Sequence, residues 1–232
     1  LTDKDKVKKK FWPIYEDESC QIGSPVFDFL LANLPSIREN VGTEKVDNYL
    51  FRKYSKILED YILGYQKKDA VPVSLLKQQI PGLNIKQQQS LNTMLPLAEM
   101  VSDRNVKTLA SVIESKIPTA GTQELKMYIF AYRAIRWQTK DADAQPQFQE
   151  TGRKLTDLVI ASMENRQASL TASDLQEYPI ILMSLQDTMS KDNYSRLAAI
   201  GEKVIPNLPD SQEKKYIQST FDKYRKLSLK KP

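Results

Sequence analysis

Histidine is absent from all 232 residues. That removes the side chain most often used to move protons near neutral pH, and with it Ser-His and Cys-His dyads and HExxH zinc sites. Cysteine occurs once, at Cys20, which excludes an internal disulfide, a CxxC redox pair and a cysteine-rich metal site within the chain. The seven glycines form neither GxGxxG nor a phosphate-binding loop, so no recognisable phosphate cradle is encoded. No apolar run approaches the roughly 18 residues that a membrane-spanning helix needs. Residues 1–10 are polar where a signal peptide would be apolar, and the first residue is Leu rather than Met. A processed product or a piece of a longer chain is therefore expected.

The remaining composition is that of a chain that folds. Hydrophobic residues make up 41% and charged residues 27%, which argues against disorder. Lys and Arg outnumber Asp and Glu by 34 to 29, and the two signs are interspersed. The net charge of +5 thus describes a solvated surface rather than a basic tail.

An internal echo organises the rest. Asp103 to Ile129 returns, without gaps, as Lys191 to Ile217, an offset of 88 residues, with 9 of 27 positions identical. Each copy reads as a helix, a turn marked by Pro118 or Pro206, and a second helix. The repeated object is a helical hairpin, the unit from which α-solenoids are stacked. The offset exceeds the 34 residues typical of a tetratricopeptide unit and suits two successive hairpins with their connectors.

Nothing alternates with period two, and no Asn-Gly or Asp-Gly pair marks a strand hairpin. The expected fold is all-α: stacked antiparallel hairpins in a TPR-like α-solenoid of ten or eleven helices, one helical repeat domain over 1–232, with sub-boundaries near 67–72 and 140–146. A helix bent by Pro13 is expected over 1–16. Ser24-Pro25 starts a helix to about Glu39. Val46, Leu50, Tyr54, Ile57, Leu58, Tyr61 and Ile62 trace one face of the next. Helices follow near 74–80 and over 85–101, the latter interrupted by Pro96. After the first repeat, helices are expected over 148–165, 173–188, 192–205 and 211–229.

Three groups of residues invite a functional reading. The acidic clusters at Glu16, Asp17 and Glu18, at Glu59 and Asp60, and at Asp141 and Asp143 lack the spacing of a calcium loop. No metal, cofactor or catalytic residue is assigned. Cys20 is a candidate free thiol. In the second helix of the first copy, Leu125, Tyr128, Ile129, Tyr132 and Ile135 form the packed side. At about 100° per residue this places Phe130, Arg133 and Trp137 on the flank. Aromatic and arginine side chains are the usual anchors of protein interfaces, so these three form the candidate partner-binding patch. Arg136 lies nearer the core stripe, where an acidic neighbour can hold it. The aligned positions of the second copy are Gln218, Phe221 and Arg225, which keep an aromatic and a cation in altered order. Lysine runs at 8–10, 67–68, 214–215 and 230–231 are scattered, whereas nucleic-acid binding wants them on one face.

The succession Phe11-Trp12, then Ser24-Pro25 with Phe27 and Phe29 to Asn33, then Gly42 and Lys45 to Asn48, resembles the helical region that follows the catalytic domain in a group of bacterial extracytoplasmic thioredoxin-like proteins. The likeness is densest from Phe11 to Tyr61. It implies an extracytoplasmic address and a neighbouring thioredoxin-like domain that this chain does not contain. It transfers no redox activity to Cys20, because the matching motif is apolar.

The expected function is that of a non-enzymatic scaffold or protein-interaction module, accessory to such a domain, with a protein partner and no nucleic acid, cofactor or membrane span. The alternative is a thiol-dependent oxidoreductase, or an accessory to one, using Cys20. A helical nucleic-acid binder is the third reading.

Overall fold

The structure is a computed structural model and describes residue 12 and residues 22–66, 71–140 and 142–229. Among these there are eleven α-helices and no strand. The helix expected over 1–16 lies outside the described residues, apart from Trp12. The chain divides into two compact units. One contains the described residues up to Tyr61 together with Tyr65–Ser102, and the other contains Ile62–Gly64 and residues from Asp103 onward. Neither 67–72 nor 140–146 coincides with this division.

In the first unit α1 spans Pro25–Ala32, α2 Leu34–Val41, α3 Thr43–Leu63, α4 Val73–Gln79 and α5 Ile85–Ser102. Ser24 Oγ accepts from the Phe27 amide at 3.2 Å with Pro25 in the first turn, the start that the sequence announces. The helix expected to run on to Glu39 instead breaks at Asn33. Pro35 cannot donate to Leu31 and its ring would clash there, so the chain kinks one turn earlier. The Asn33 amide closes on the carbonyls of Phe29 and Leu30. The opposite happens at Pro96, where α5 continues unbroken. Pro96 and Asn92, the residue whose carbonyl it orphans, are both exposed, a setting in which solvent can satisfy that acceptor.

On α3, Val46, Leu50, Tyr54, Leu58, Tyr61 and Ile62 are buried, joined by Tyr49, and only Ile57 of the expected stripe is half-buried. Asp47 is also buried and receives Arg38 Nε at 2.9 Å and Nη2 at 2.7 Å. Arg38 donates to the Gly82 carbonyl as well, so one guanidinium fastens α2 to α3 and to the 3-10 turn that follows α4.

In the second unit α6 spans Val106–Lys116, α7 Thr122–Gln138, α8 Gln145–Asn165, α9 Ala172–Met183, α10 Lys191–Val204 and α11 Gln212–Leu229. Consecutive helices pair as α6 with α7 and α10 with α11. Next neighbours also meet, α8 against both α6 and α10, and α9 against both α7 and α11. Pro146 sits in the first turn of α8, where its missing donor costs nothing. The helix expected to run unbroken to Thr188 ends at Met183. There the Ser184 and Leu185 amides tighten onto the third carbonyl back, and Gln186–Thr188 forms a 3-10 turn.

Both repeat prolines lie between helices, Pro118 in the turn after α6 and Pro206 in the 3-10 turn Ile205–Asn207 after α10. The identical asparagines do different work. Asn105 caps α6, accepting from the Thr108 amide at 3.2 Å. Asn193 lies inside the first turn of α10, which Ser190 caps a turn earlier, and its Oδ1 accepts from the Ser190 amide at 2.7 Å. Gly201 stands where the first copy has Ile113, and a Cβ there would lie 2.6 Å from Phe221 Cδ1. The ring of α11 fills the place of the missing side chain. On α8, a Cβ at Gly152 would lie 2.5 Å from Thr188 Cγ2 and 3.1 Å from the Tyr132 hydroxyl.

Candidate functional site

The α7 core stripe holds as expected. Leu125, Ile129, Tyr132 and Ile135 are buried, with Tyr128 half-buried. The Tyr132 hydroxyl donates to the Phe148 carbonyl at 2.6 Å. Burial pushes its pKa up to about 12, against the opposing effect of Arg136, so it stays a protonated donor in the interior.

Beside this stripe, Phe130, Arg133 and Trp137 follow one another at spacings of three and four residues, which places them on one strip of the helix. The structure brings them together as a stack. The Arg133 Cζ lies 4.6 Å from the centre of the Phe130 ring and 4.5 Å from that of Trp137. Both separations are within cation–π range. Trp137 is 59% exposed, whereas Phe130 is half-buried.

Helix α9 supplies the other wall. Thr122 donates to Asp174 at 3.2 Å, Lys126 to Glu177 at 2.8 Å, Arg133 Nη1 to Ser184 Oγ at 3.3 Å, and Arg136 Nη1 to Asp187 Oδ1 at 2.8 Å. The sequence offset in these pairs is 51 or 52 throughout. A constant offset means that α7 runs parallel to α9 and the 3-10 turn after it. Arg136 also bonds Asp187 through Nη2, making the two-pronged pair that suits a guanidinium and a carboxylate. The Arg136 hydrogen bond holds the Asp187 carboxyl below its ordinary range, against partial burial. The acidic neighbour expected for Arg136 is therefore Asp187.

These elements and the start of α10 border a recess of about 800 Å³, lined by Arg133, Arg136, Trp137, Met183, Asp187 and Tyr194 among others. Met183 is 64% exposed, and Ile180 is also exposed on α9. The sequence reading missed Met183 and Ile180. Their signal was the run Ile180-Ile181-Leu182-Met183, four consecutive apolar residues where a helix can bury only one face. Ile181 and Leu182 face the core, which leaves the other two outside.

The second copy does not reproduce the patch. Phe221, aligned with Arg133, is buried. Gln218 donates to Asp222 on its own helix, and Arg225 lies at the surface 3.7 Å from Glu202. The aromatic and the cation that the second copy keeps are thus split between core and solvent. Elsewhere, Asp60 of the acidic pair on α3 accepts from Lys56 at 2.6 Å. Cys20, Glu16, Asp17, Glu18 and Asp141 lie outside the described residues.

The arrangement offers an exposed aromatic, a flexible thioether and a cation held rigidly between two rings. Side chains of these kinds suit contact and charge recognition rather than bond-making. Compared with known proteins, the chain matches no family model, no curated protein and no solved structure.

Proposed function

We propose that this chain is a non-enzymatic helical-repeat module that binds a protein partner on the surface shared by α7 and α9. The observation that carries the reading is the Phe130–Arg133–Trp137 stack, whose Arg133 and Trp137 line one recess with the exposed Met183. Apolar side chains of this size, adjacent to one another and to a fixed arginine, are what interface anchors are made of. The alternating neighbours α6, α8 and α10 on one side and α7, α9 and α11 on the other support a stack of three hairpins of the α-solenoid kind, an architecture that offers extended binding surfaces without catalytic groups. The likeness of residues 11–61 to the helical region of thioredoxin-like proteins supports an accessory role beside a redox domain outside the cytoplasm.

The test is a titration of a purified partner, first recovered on the wild-type chain, against the Arg133→Ala/Trp137→Ala double variant, with helicity followed by circular dichroism. A loss of a few kcal/mol in binding at unchanged helicity is expected. Equal affinity removes this surface from the reading. A purified chain that reduces a model disulfide catalytically, and loses that activity on Cys20→Ser, overturns the non-enzymatic assignment.

A further inference from the structure

Arg133 and Arg136 sit three positions apart on α7 and differ in how their charge is met. Arg136 is neutralised by the two-pronged contact with Asp187. Arg133 has no carboxylate partner among the described residues, and its one hydrogen bond goes to the neutral Ser184 hydroxyl. Its Nε is enclosed and unbonded, whereas Nη2 is neither among the enclosed atoms nor hydrogen-bonded within the described residues, and Arg133 is one of the residues that line the recess. With Asp187 committed to Arg136, the recess carries one uncompensated positive charge.

That charge is also held in place. The rings of Phe130 and Trp137 both lie against the guanidinium, and Ser184 accepts from its Nη1. An arginine ordinarily loses side-chain freedom when it grips a ligand. Here the planar fork is already oriented before anything binds, and preorganisation of this kind lowers the cost of binding. The enclosure of Nε keeps water from that part of the guanidinium, which strengthens the interaction offered by the rest.

We propose that Arg133 is the carboxylate-recognition point of the docking surface, and that the partner presents an acidic side chain, Asp or Glu, flanked by apolar side chains. The carboxylate meets the free Nη edge of Arg133. Trp137 and Met183, both exposed and lining the same recess, cover the adjoining apolar side chains. Charge complementarity selects this occupant over a basic one, which would face Arg133 unpaired. The inference rests on the protein-binding reading above and adds the chemistry of the partner.

The experiment uses the full chain and two matched sets of short synthetic peptides. One set carries an Asp or Glu between Leu, Met or Phe residues, and the other carries Asn or Gln at that place. Affinities are read by fluorescence anisotropy. The carboxylate peptides are expected to bind, and their amide counterparts to bind about tenfold or more weakly. Arg133→Met should produce a similar loss. Arg133→Lys should also weaken binding despite its charge, because an ammonium has no planar fork to hold between rings. Equal binding of both peptide sets overturns the carboxylate assignment. If Trp137→Ala still weakens that equal binding, the protein-binding reading survives alone. Failure of both sets to bind overturns the proposal too, and the partner titration then judges the broader reading separately. Preferential binding of a short single-stranded RNA at the same residues likewise overturns it. Should Arg133→Met unfold the chain, the comparison of carboxylate with amide peptides on the wild-type protein still decides.

Discussion

Gly201 lies inside α10, where glycine is a poor helix former, so replacing it with alanine would ordinarily stabilise the helix by about 0.5–1 kcal/mol. The structure reverses that expectation. The new Cβ would stand 2.6 Å from Phe221 Cδ1 and 2.9 Å from both Cβ and Cγ of the same residue, against the roughly 3.5–4.0 Å of an ordinary carbon contact. A change of rotamer moves Cδ1 but leaves Cβ where the α11 backbone holds it. The ring is confined as well. Phe221 is buried and meets Tyr224 edge-on at 5.5 Å, and Tyr224 packs on Tyr194 at 6.0 Å. Relief therefore requires α11 to shift away from α10, and overpacking of this kind costs typically about 1–3 kcal/mol. Set against the helix-propensity gain, Gly201→Ala should destabilise the second unit by about 1–2 kcal/mol.

Urea unfolding followed by far-UV circular dichroism measures the change, and a double-mutant cycle with Phe221→Leu assigns it. Leucine carries less bulk next to Cβ and can turn away, so Gly201→Ala should cost less in that background, with a coupling energy of about 0.5 kcal/mol or more. A Gly201→Ala chain more stable than wild type by the propensity increment, or a cycle with zero coupling, would refute the close approach of the two helices.

Two further outcomes follow from the ion pairs. Asp47→Ala should cost about 2–3 kcal/mol, because it strands the Arg38 guanidinium against a buried wall; Trp12, which meets Tyr49 edge-on in the same unit, reports the loss by fluorescence in a Trp137→Phe background. Hydrogen bonds from Arg196, Lys126 and Arg136, against partial burial, lower the carboxyl pKa values of Glu164, Glu177 and Asp187. A carboxyl that binds its proton less readily when folded contributes stability that is complete above its ordinary value, 4.5 for Glu and 3.8 for Asp, and is lost as the pH falls through the lowered value. Arg196→Met should therefore unfold more easily at neutral pH and approach the wild-type midpoint in acid, and a gap independent of pH would count against the pairing with Glu164.

Much of the helical plan was legible because the signals were local. Ser24 and Pro25 start α1 through one amide and one fixed dihedral, and the α7 stripe follows from its spacing. At Pro35 the missed signal was local too, but at Pro96 the deciding fact lay outside the helix concerned. Pro96 is tolerated on a stretch where it and Asn92, whose carbonyl it orphans, are both exposed, which depends on what packs against the other side. Within the candidate site, the mutual contact of Phe130, Arg133 and Trp137 was implied by their spacing. Ser184 and Asp187 were not, because only the parallel alignment of α7 with the α9 segment at an offset of 51 brings them there.

The two repeat copies differ in a way that accounts for the patch occurring once. In α6 and α7 the aligned pair is Ile113 and Arg133, and in α10 and α11 it is Gly201 and Phe221. Both Ile113 and Phe221 are buried. In the second copy the first helix gives up its side chain, and the aromatic from the second helix enters the space. In the first copy Ile113 already fills the interior from the α6 side, so position 133 need not supply core volume. It is free to carry a charge outward, toward Ser184 and between the rings of Phe130 and Trp137. Burying that guanidinium in the manner of Phe221 would require a partner for its charge at a heavy desolvation cost. The bulk at position 113 and the surface role at position 133 are thus two sides of one packing constraint.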